Sequence, residues 1–259
     1  MTNAINAFLA NAGKDFYKCF LENRSYLLYL KGLRNTLLIA FGSCLLGLII
    51  GIAVTCVRII PKDKPIARFF DKVAGLYVTV IRGTPVVLQL FICYFVILKS
   101  MKSANFLGIP ETRGIPVAII AFGLNSGAYM AEILRGGINS VDAGQMEAGR
   151  TLGLTWLQTF TKIVLPQALK SAIPTMFNEF ITLVKETSVA GYVGIVDLTK
   201  IQTYITVQTM QLYMPLFIIA AIYLIIVLGL QKIQKSIEAR LNRSERHCNG
   251  LHCKRKQHL

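Results

Sequence analysis

The fold is decided by residues 140–169, SVDAGQMEAGRTLGLTWLQTFTKIVLPQAL, a structured polar stretch between strongly apolar ones. Residues 143–150 favour a helix, Gly153 interrupts it, and residues 156–164 have the apolar spacing of an amphipathic helix. Pro166 marks the entry to a further helix, because proline is tolerated in a first helical turn. The stretch is too polar to cross a bilayer. We therefore expect two short helices that meet at a glycine and protrude from one face of a membrane domain.

The composition places most of the chain in a membrane. Of the 259 residues, 54% are hydrophobic and 16% are charged, whereas about a quarter of the residues of a soluble domain are charged. The formal net charge of +15 does not indicate nucleic-acid binding. Lysine and arginine gather at the ends of apolar runs and in the tail, as membrane topology requires, and no nucleic-acid recognition module is visible. We predict an all-α integral membrane protein that contacts lipid and binds no nucleic acid.

Five stretches are candidate transmembrane helices. The first, TLLIAFGSCLLGLIIGIAVTCV, carries no charge and its length of about 33 Å as a helix is enough to cross the hydrocarbon core. The fourth is the weakest, because Lys170, Pro174 and Glu179 interrupt it. The predicted spans are residues 36–57, 73–98, 115–135, 165–188 and 212–231, which together define a membrane domain of residues 36–232.

Positive charge sets the number and direction of the spans. The connection at residues 58–72 and the tail at residues 233–259 are both rich in lysine and arginine. Five spans put both segments in the cytoplasm, whereas four spans would put them on opposite sides, so we predict five. The N-terminus then lies outside, with residues 1–35 along the outer interface. The polar stretch at about residues 140–163 lies in the cytoplasm, as does the basic tail.

The motif Glu147-Ala148-Gly149, followed by Gly153 and by residues 163–166 (IVLP), resembles the EAA loop of ABC importer permeases. That family usually has alanine at the place of Gly149, and the rest of the spacing fits. The resemblance implies a type I ABC importer permease architecture, in which this cytoplasmic two-helix coupling loop docks on a separate ATPase subunit. The residues that the resemblance assigns to ATPase coupling are Gly144, Gln145, Glu147, Ala148, Gly149, Gly153 and Leu154.

Further motifs narrow the resemblance to permeases that take up polar amino acids. They are VIRGTP at residues 80–85, NSGAY at residues 125–129, and KETS at residues 185–188, which is similar to a KDTS motif with glutamate for aspartate. The implied partners are a second permease chain, two copies of an ABC ATPase subunit and an extracytoplasmic amino-acid-binding protein. The implied location is the bacterial cytoplasmic membrane. The sequence leaves open which amino acid is moved and whether the two permease chains are identical.

Polar residues within the predicted spans are candidates for the solute path. An ionisable group at the bilayer centre costs about 2.5–3.5 kcal/mol on insertion scales, so it normally faces a cavity or a partner. A zwitterionic amino acid presents a carboxylate and an ammonium, which suits a path carrying both signs. The alternative is that these groups pair with one another as structural ties. The candidates are Arg82, Thr84, Gln89, Asn125, Glu132, Lys185 and Glu186.

The sequence does not favour an enzyme. It lacks the GxxxxGK[ST] nucleotide signature and the HExxH metal motif, and its histidines all lie in the final tail. The tail sequence HCNGLHC, residues 247–253, matches no standard zinc spacing. We therefore predict no catalytic residue, no metal and no cofactor, with ATP hydrolysis on a partner subunit.

Two other classes of protein remain as alternatives. An ion-driven secondary transporter predicts an internal repeat with paired broken spans, which is not visible, and it leaves the polar stretch at residues 140–163 unexplained. An intramembrane enzyme needs a nucleophile or a metal set within the spans, and histidine is absent there. Serine and carboxylate combinations leave this second alternative open.

Overall fold

The computed structural model describes residues 12–60, 64–101, 103, 105–109 and 112–256, with side chains up to residue 241 other than that of Asn23. Regular structure in these residues is helical, without a strand. We number the helices α1 (Tyr26–Ile59), α2 (Pro65–Gly83), α3 (Val86–Ile92), α4 (Ile115–Asn139), α5 (Ala143–Thr151), α6 (Trp156–Thr159), α7 (Leu165–Glu186), α8 (Leu198–Thr209) and α9 (Tyr213–Lys256). Short π and 3-10 turns lie at Tyr17–Leu21, Glu22–Arg24, Cys93–Ile97, Lys99–Met101, Phe106–Gly108, Phe160–Val164 and Thr187–Val193.

Three helices of the described chain are long and apolar enough to cross a membrane, namely α1, α4 and residues 213–241 of α9. A fourth span results if α2 and α3 with its π turn are counted together, although they bend by 107° at their junction. Helix α7 has 22 residues but does not reach the same apolarity. The all-α membrane fold is therefore confirmed, and the count of five spans stays a prediction.

Helix α1 begins ten residues before the predicted span, and these additional turns hold α8 in place. The side-chain amide of Asn35 donates to the carbonyl oxygen of Val196 at 2.8 Å. The amide of Leu198, at the start of α8, donates to the hydroxyl of Thr36 at 3.2 Å. Residues 12–24, predicted to lie along the interface, are helical, and Cys19 is fully buried among apolar residues of α8 and α9. This end of the domain is thus a packed cap.

The tightest helix pair is α1 with α4, which pack through glycines. A Cβ added at Gly51 of α1 would stand 2.5 Å from the Cβ of Met130 on α4, so the two backbones approach too closely for a larger residue. Thr55 adds a polar tie, since its hydroxyl donates to the carbonyl oxygen of Ala131 at 3.2 Å. Small residues and such side-chain hydrogen bonds are typical of helix association in membranes.

We expect Gly51→Ala to destabilise the protein because the new methyl group forces α1 away from α4. Overpacking of a close contact costs about 1–3 kcal/mol. The matched control is Gly75→Ala on α2, where an added Cβ meets nothing within 4 Å and alanine improves helix propensity by up to about 1 kcal/mol. Thermal unfolding in detergent should show a lower melting temperature for Gly51→Ala than for Gly75→Ala. Equal melting temperatures would contradict the close α1–α4 contact.

Candidate functional site

The polar stretch after α4 is a hairpin with defined ends. Asp142 is the N-cap of helix α5, and its carboxylate oxygen Oδ1 accepts a hydrogen bond from the amide of Gly144 at 2.8 Å. Helix α5 ends in a Schellman motif, in which the amide of Leu154 donates to the carbonyl oxygen of Gly149 at 3.2 Å and that of Gly153 to Arg150 at 3.0 Å. Gly153 has φ +82°, a conformation that glycine adopts without penalty. The helix therefore stops here for a stereochemical reason.

The second helix of the hairpin is fixed by a capping box. The hydroxyl of Thr155 accepts the amide of Gln158, and the side-chain oxygen of Gln158 accepts the amide of Thr155 at 2.9 Å. Such reciprocal bonds satisfy two otherwise free donors. The rings of Trp156 and Phe160 stack at 5.3 Å, and a π turn then continues into α7. The two short helices expected from the sequence are present, and the second is continuous with a longer helix.

Gly149 explains why this chain departs from the usual E-A-A pattern. It is the one buried residue of α5, and a Cβ at this position would overlap the side chain of Thr159. The two helices of the hairpin therefore touch at Gly149. The hairpin is a small packed unit and not a flexible loop.

We predict that Gly149→Ala loosens the hairpin, although alanine is common in the family at this position. The added methyl group clashes with Thr159, whereas Thr159→Ala removes the clashing atoms. The double variant Gly149→Ala/Thr159→Ala should therefore recover protease resistance of residues 140–163 that the single variant loses. Limited proteolysis in detergent measures this. A single variant as resistant as the wild type would refute the packing argument.

The hairpin presents most of the predicted coupling residues to solvent. Gly144, Gln145, Glu147, Ala148 and Gly153 are exposed, Leu154 is half-buried, and Gly149 is buried. Two apolar side chains beside them are also exposed, with Leu152 at 81% and Leu157 at 62% of their surface. Leu152 and Leu157 thus add exposed apolar side chains to the polar surface of the hairpin.

The break between α2 and α3 is stabilised by hydrogen bonds of the Gln89 side chain. Pro85 has no N–H, so the carbonyl oxygen of Ile81 loses its helical partner. The side-chain amide of Gln89 replaces it, donating to Ile81 O at 2.7 Å and to the hydroxyl of Thr84 at 2.8 Å. Asn125 of α4 in turn donates to the side-chain oxygen of Gln89 at 2.9 Å. Thr84, Gln89 and Asn125, all predicted to border the solute path, are thus hydrogen-bonded to one another and stabilise the bend between α2 and α3.

Glu132 is the centre of an ion-pair cluster that joins three helices. Its carboxylate lies 2.7 Å from Nη1 of Arg58 on α1 and 2.6 Å from Nη2 of Arg135 on α4. Arg82 at the end of α2 is more distant, at 3.8 Å, and lies over the ring of Tyr129 at 5.1 Å. The sequence did not single out Arg58, although a charge at the end of a span is a signal for such a pairing.

The last predicted path residues, Lys185 and Glu186, lie at the end of α7 and not in the Glu132 cluster. Lys185 is exposed and Glu186 is half-buried. Glu179 lies two turns earlier on α7, the helix that packs against α4. An acidic residue inside an apolar helix is the sequence signal for Glu179.

The residues that the structure describes contain no group of three or more metal-binding side chains. The HCNGLHC segment, residues 247–253, belongs to the backbone of α9, but its side chains are outside the described ones. Helix α9 continues through the tail that was predicted to start at residue 233.

A bundle of membrane-crossing helices with internal charges and a rigid polar hairpin defines a membrane transport permease. Residues 47–243 match the family of binding-protein-dependent transport system inner membrane components. This chain belongs to that family. The match covers the membrane helices from the middle of α1 into α9 and includes the hairpin.

Similar proteins with assigned names are also transport permeases. The chain is 36% identical to the arginine transport system permease protein ArtQ of Bacillus subtilis, over 83% of this chain and 93% of that protein. It is also 36% identical to the L-cystine transport system permease protein TcyB of Bacillus subtilis, over 82% of this chain and 86% of that protein. Both are designated as permease proteins of transport systems.

Solved structures show the same architecture. The crystal structure of an amino acid ABC transporter with histidines has a TM-score of 0.74 and 34% identity, covering 85% of this chain and 98% of that one. The inward-facing MetNI methionine ABC transporter has a TM-score of 0.68 at 20% identity, over 85% of this chain and 99% of that one. The second likeness concerns the fold alone.

Proposed function

We propose that this chain is the permease subunit of an ATP-driven importer for polar L-amino acids in the bacterial cytoplasmic membrane. The observation that carries the proposal is the hairpin α5–α6, which is packed at Gly149, capped at both ends and continuous with α7. A stiff protrusion that leads directly into a membrane helix is suited to transmit force from a soluble partner. The relatives ArtQ and TcyB, designated for arginine and L-cystine, support the substrate class.

The partner of the hairpin is an ABC ATPase subunit. The exposed surface around Glu147 offers a carboxylate, small residues that permit close approach, and the leucines Leu152 and Leu157 for burial. Two permease chains surround one path, each contacting one of two ATPase subunits, and an extracytoplasmic binding protein delivers the amino acid. ATP binding closes the ATPases and turns the path outward; hydrolysis returns it.

The chain crosses the membrane five times, with α7 as the fourth span. The hairpin and the start of α7 lie together on one side, and the packed cap of α8 with residues 12–24 lies on the other. The basic connection at residues 58–72 and the basic end of α9 put the hairpin in the cytoplasm. The N-terminus is then outside and the C-terminus is cytoplasmic.

The solute path follows the polar groups on the facing sides of α2, α4 and α7. Arg82 is the residue best placed for the solute carboxylate, because its side chain is 43% exposed and is 3.8 Å from Glu132, farther than Arg58 or Arg135. Glu179, Lys185 and Glu186 supply charges of both signs on α7. Thr84, Gln89 and Asn125 border the path and keep the bend that exposes Arg82.

The test is uptake by proteoliposomes that contain the purified complex. We expect uptake of labelled polar amino acids that requires ATP and the binding protein and falls to background when the ATPase subunits are omitted. A proton or sodium gradient without ATP should drive none. Uptake by the permease alone under an ion gradient would overturn the proposal in favour of a secondary transporter.

A further inference from the structure

We infer that Arg58 of α1 is a positioning residue for the solute path, because its contact with Glu132 leaves the guanidinium of Arg82 available to a carboxylate. This inference rests on the proposed function, in which Arg82 meets the carboxylate of the amino acid. Arg58 itself does not touch the solute. Its role is to set which anion Arg82 binds.

The carboxylate of Glu132 is occupied mainly by two arginines other than Arg82. Nη1 of Arg58 donates to Oε1 at 2.7 Å. Arg135 donates to both oxygens, from Nε to Oε1 at 3.2 Å and from Nη2 to Oε2 at 2.6 Å. A carboxylate has about four acceptor positions, so these bonds leave room for one more. Nη1 of Arg82 lies 3.8 Å from Oε2, which is beyond hydrogen-bond distance.

Arg58 differs from Arg135 because its contact with Glu132 depends on how the helices pack. Arg135 follows Glu132 by three residues on α4, so the two side chains are neighbours on that helix alone. Arg58 reaches Glu132 from α1, and its Nε lies 3.9 Å from Oδ1 of Asp71 on α2. Its side chain is 22% exposed. A guanidinium held between two carboxylates stays beside Glu132 and offsets part of its negative charge.

Arg82 is held near Glu132 without being bound by it. Its guanidinium carbon lies over the ring of Tyr129, 5.1 Å from the centroid. Attraction to an aromatic ring holds a cation without a hydrogen-bond acceptor, so it does not consume the N–H donors of the arginine. The planar guanidinium can then bind a carboxylate through two parallel hydrogen bonds. The carboxylate of Glu132 and that of a solute therefore compete for Arg82.

Loss of the positive charge of Arg58 should move this competition towards Glu132. The carboxylate would lose one of the bonds to Oε1, and Arg82 needs to approach by only about 1 Å to reach hydrogen-bond distance. Arg82 would then be paired with Glu132 and less available to a solute. For a pair of partial exposure we expect an effect of about fivefold.

The first test uses the purified permease alone and measures how fast phenylglyoxal, which modifies accessible guanidinium groups, reacts with each arginine. Arg58→Gln should slow the modification of Arg82 about fivefold, as quantified by mass spectrometry. Arg58→Lys keeps the positive charge and should keep most of the reactivity of Arg82. Arg68→Gln, which removes an exposed arginine of α2, is the matched control and should have no effect. Modification of the exposed Arg150 is the internal reference.

A double variant separates the charge effect from a loss of packing. Arg58→Gln combined with Glu132→Gln also removes the carboxylate that competes for Arg82, so Arg82 should react at least as fast as in the wild type. Unchanged reactivity of Arg82 in Arg58→Gln would overturn the inference, as would a slow reaction that persists in the double variant. Neither result depends on transport, so neither bears on the proposed function.

The second test uses the assembled complex in proteoliposomes and measures the number of amino acids taken up per ATP hydrolysed. Arg58→Gln should lower this ratio about fivefold, because the ATPase still cycles while Arg82 holds the solute poorly. Arg58→Lys should preserve it. An equal fall in uptake and hydrolysis would indicate a structural role alone and would overturn the inference. Absence of ATP-dependent uptake by the wild-type complex would instead overturn the proposed function.

Discussion

Changing Glu147 to lysine and Gly153 to tryptophan together is expected to remove the ATPase subunit from the purified permease. The first change reverses the charge of an exposed carboxylate at the centre of the hairpin surface. Loss of one partner of a desolvated charge pair costs about 2–5 kcal/mol, so recovery of the ATPase should fall well beyond tenfold. Affinity purification of the tagged permease from mild detergent, with quantification of the co-purified ATPase, measures the effect.

The control for this variant is Glu238→Lys with Gly229→Trp, the same two changes on exposed positions of α9. Its ATPase recovery should equal that of the wild type. Gly153→Asn distinguishes loss of the ATPase contact from disruption of the hairpin backbone. Asparagine tolerates the left-handed conformation that Gly153 adopts, so this variant keeps the backbone intact. It should retain the ATPase. Unchanged ATPase recovery with the Glu147/Gly153 variant would show that the hairpin is not the contact.

Glu132→Ala is expected to reduce both the stability of the permease and its transport. The substitution leaves Arg58, Arg82 and Arg135 without the carboxylate that they share, while Arg58 keeps Asp71 at 3.9 Å. Removing one partner of a buried pair costs about 3–5 kcal/mol, whereas an exposed pair is worth about 0.2–1 kcal/mol. The side chains of Arg58, Glu132 and Arg135 are 22%, 19% and 45% exposed, so the expected loss lies between these two ranges. We expect a lower melting temperature in detergent and uptake close to background.

The matched variant is Glu132→Ala combined with Arg135→Ala. It also removes Arg135, which loses its ion pair with Glu132 in the single variant, so it should recover part of the melting temperature without recovering uptake. A Glu132→Ala protein that melts like the wild type would show that the cluster is a solvated surface feature. Normal uptake by the Glu132→Ala protein at normal abundance would show that Glu132 does not contribute to the solute path.

Much of the fold was predictable from local signals. An apolar run of span length predicts α1 and α4 because the bilayer sets that length, and the order of Gly153 and Pro166 predicts where the hairpin helices stop and start. The bend of 107° was not predictable in size. The residues Gly83-Thr84-Pro85 indicate only a loosened helix. The angle depends on Gln89 and Asn125, whose hydrogen bonds join residues distant in the sequence.

The sequence indicates which residues are candidates for the site, but it does not indicate which of them contact one another. Intramembrane polar groups stand out in one sequence because they are costly there, and this identified Arg82 and Glu132. Which of them pair is decided by how α1, α2 and α4 pack, and no spacing rule encodes that. Arg58 was therefore taken as a topology signal, although it is the closest α1 partner of Glu132. Likewise the apolarity of α7 alone is too weak to identify it as a span, and its prediction as one rests on the distribution of positive charge.

The exposed leucines of the hairpin have a consequence for how the permease accumulates in the cell. Leu152 and Leu157 would face the cytosol from the time of membrane insertion until an ATPase subunit covers them. Exposed apolar surface on an unassembled subunit is what proteases and chaperones recognise. The chain would thus be short-lived when made in excess over its ATPase. Assembly would then set the stoichiometry of the transporter by removal of orphan subunits.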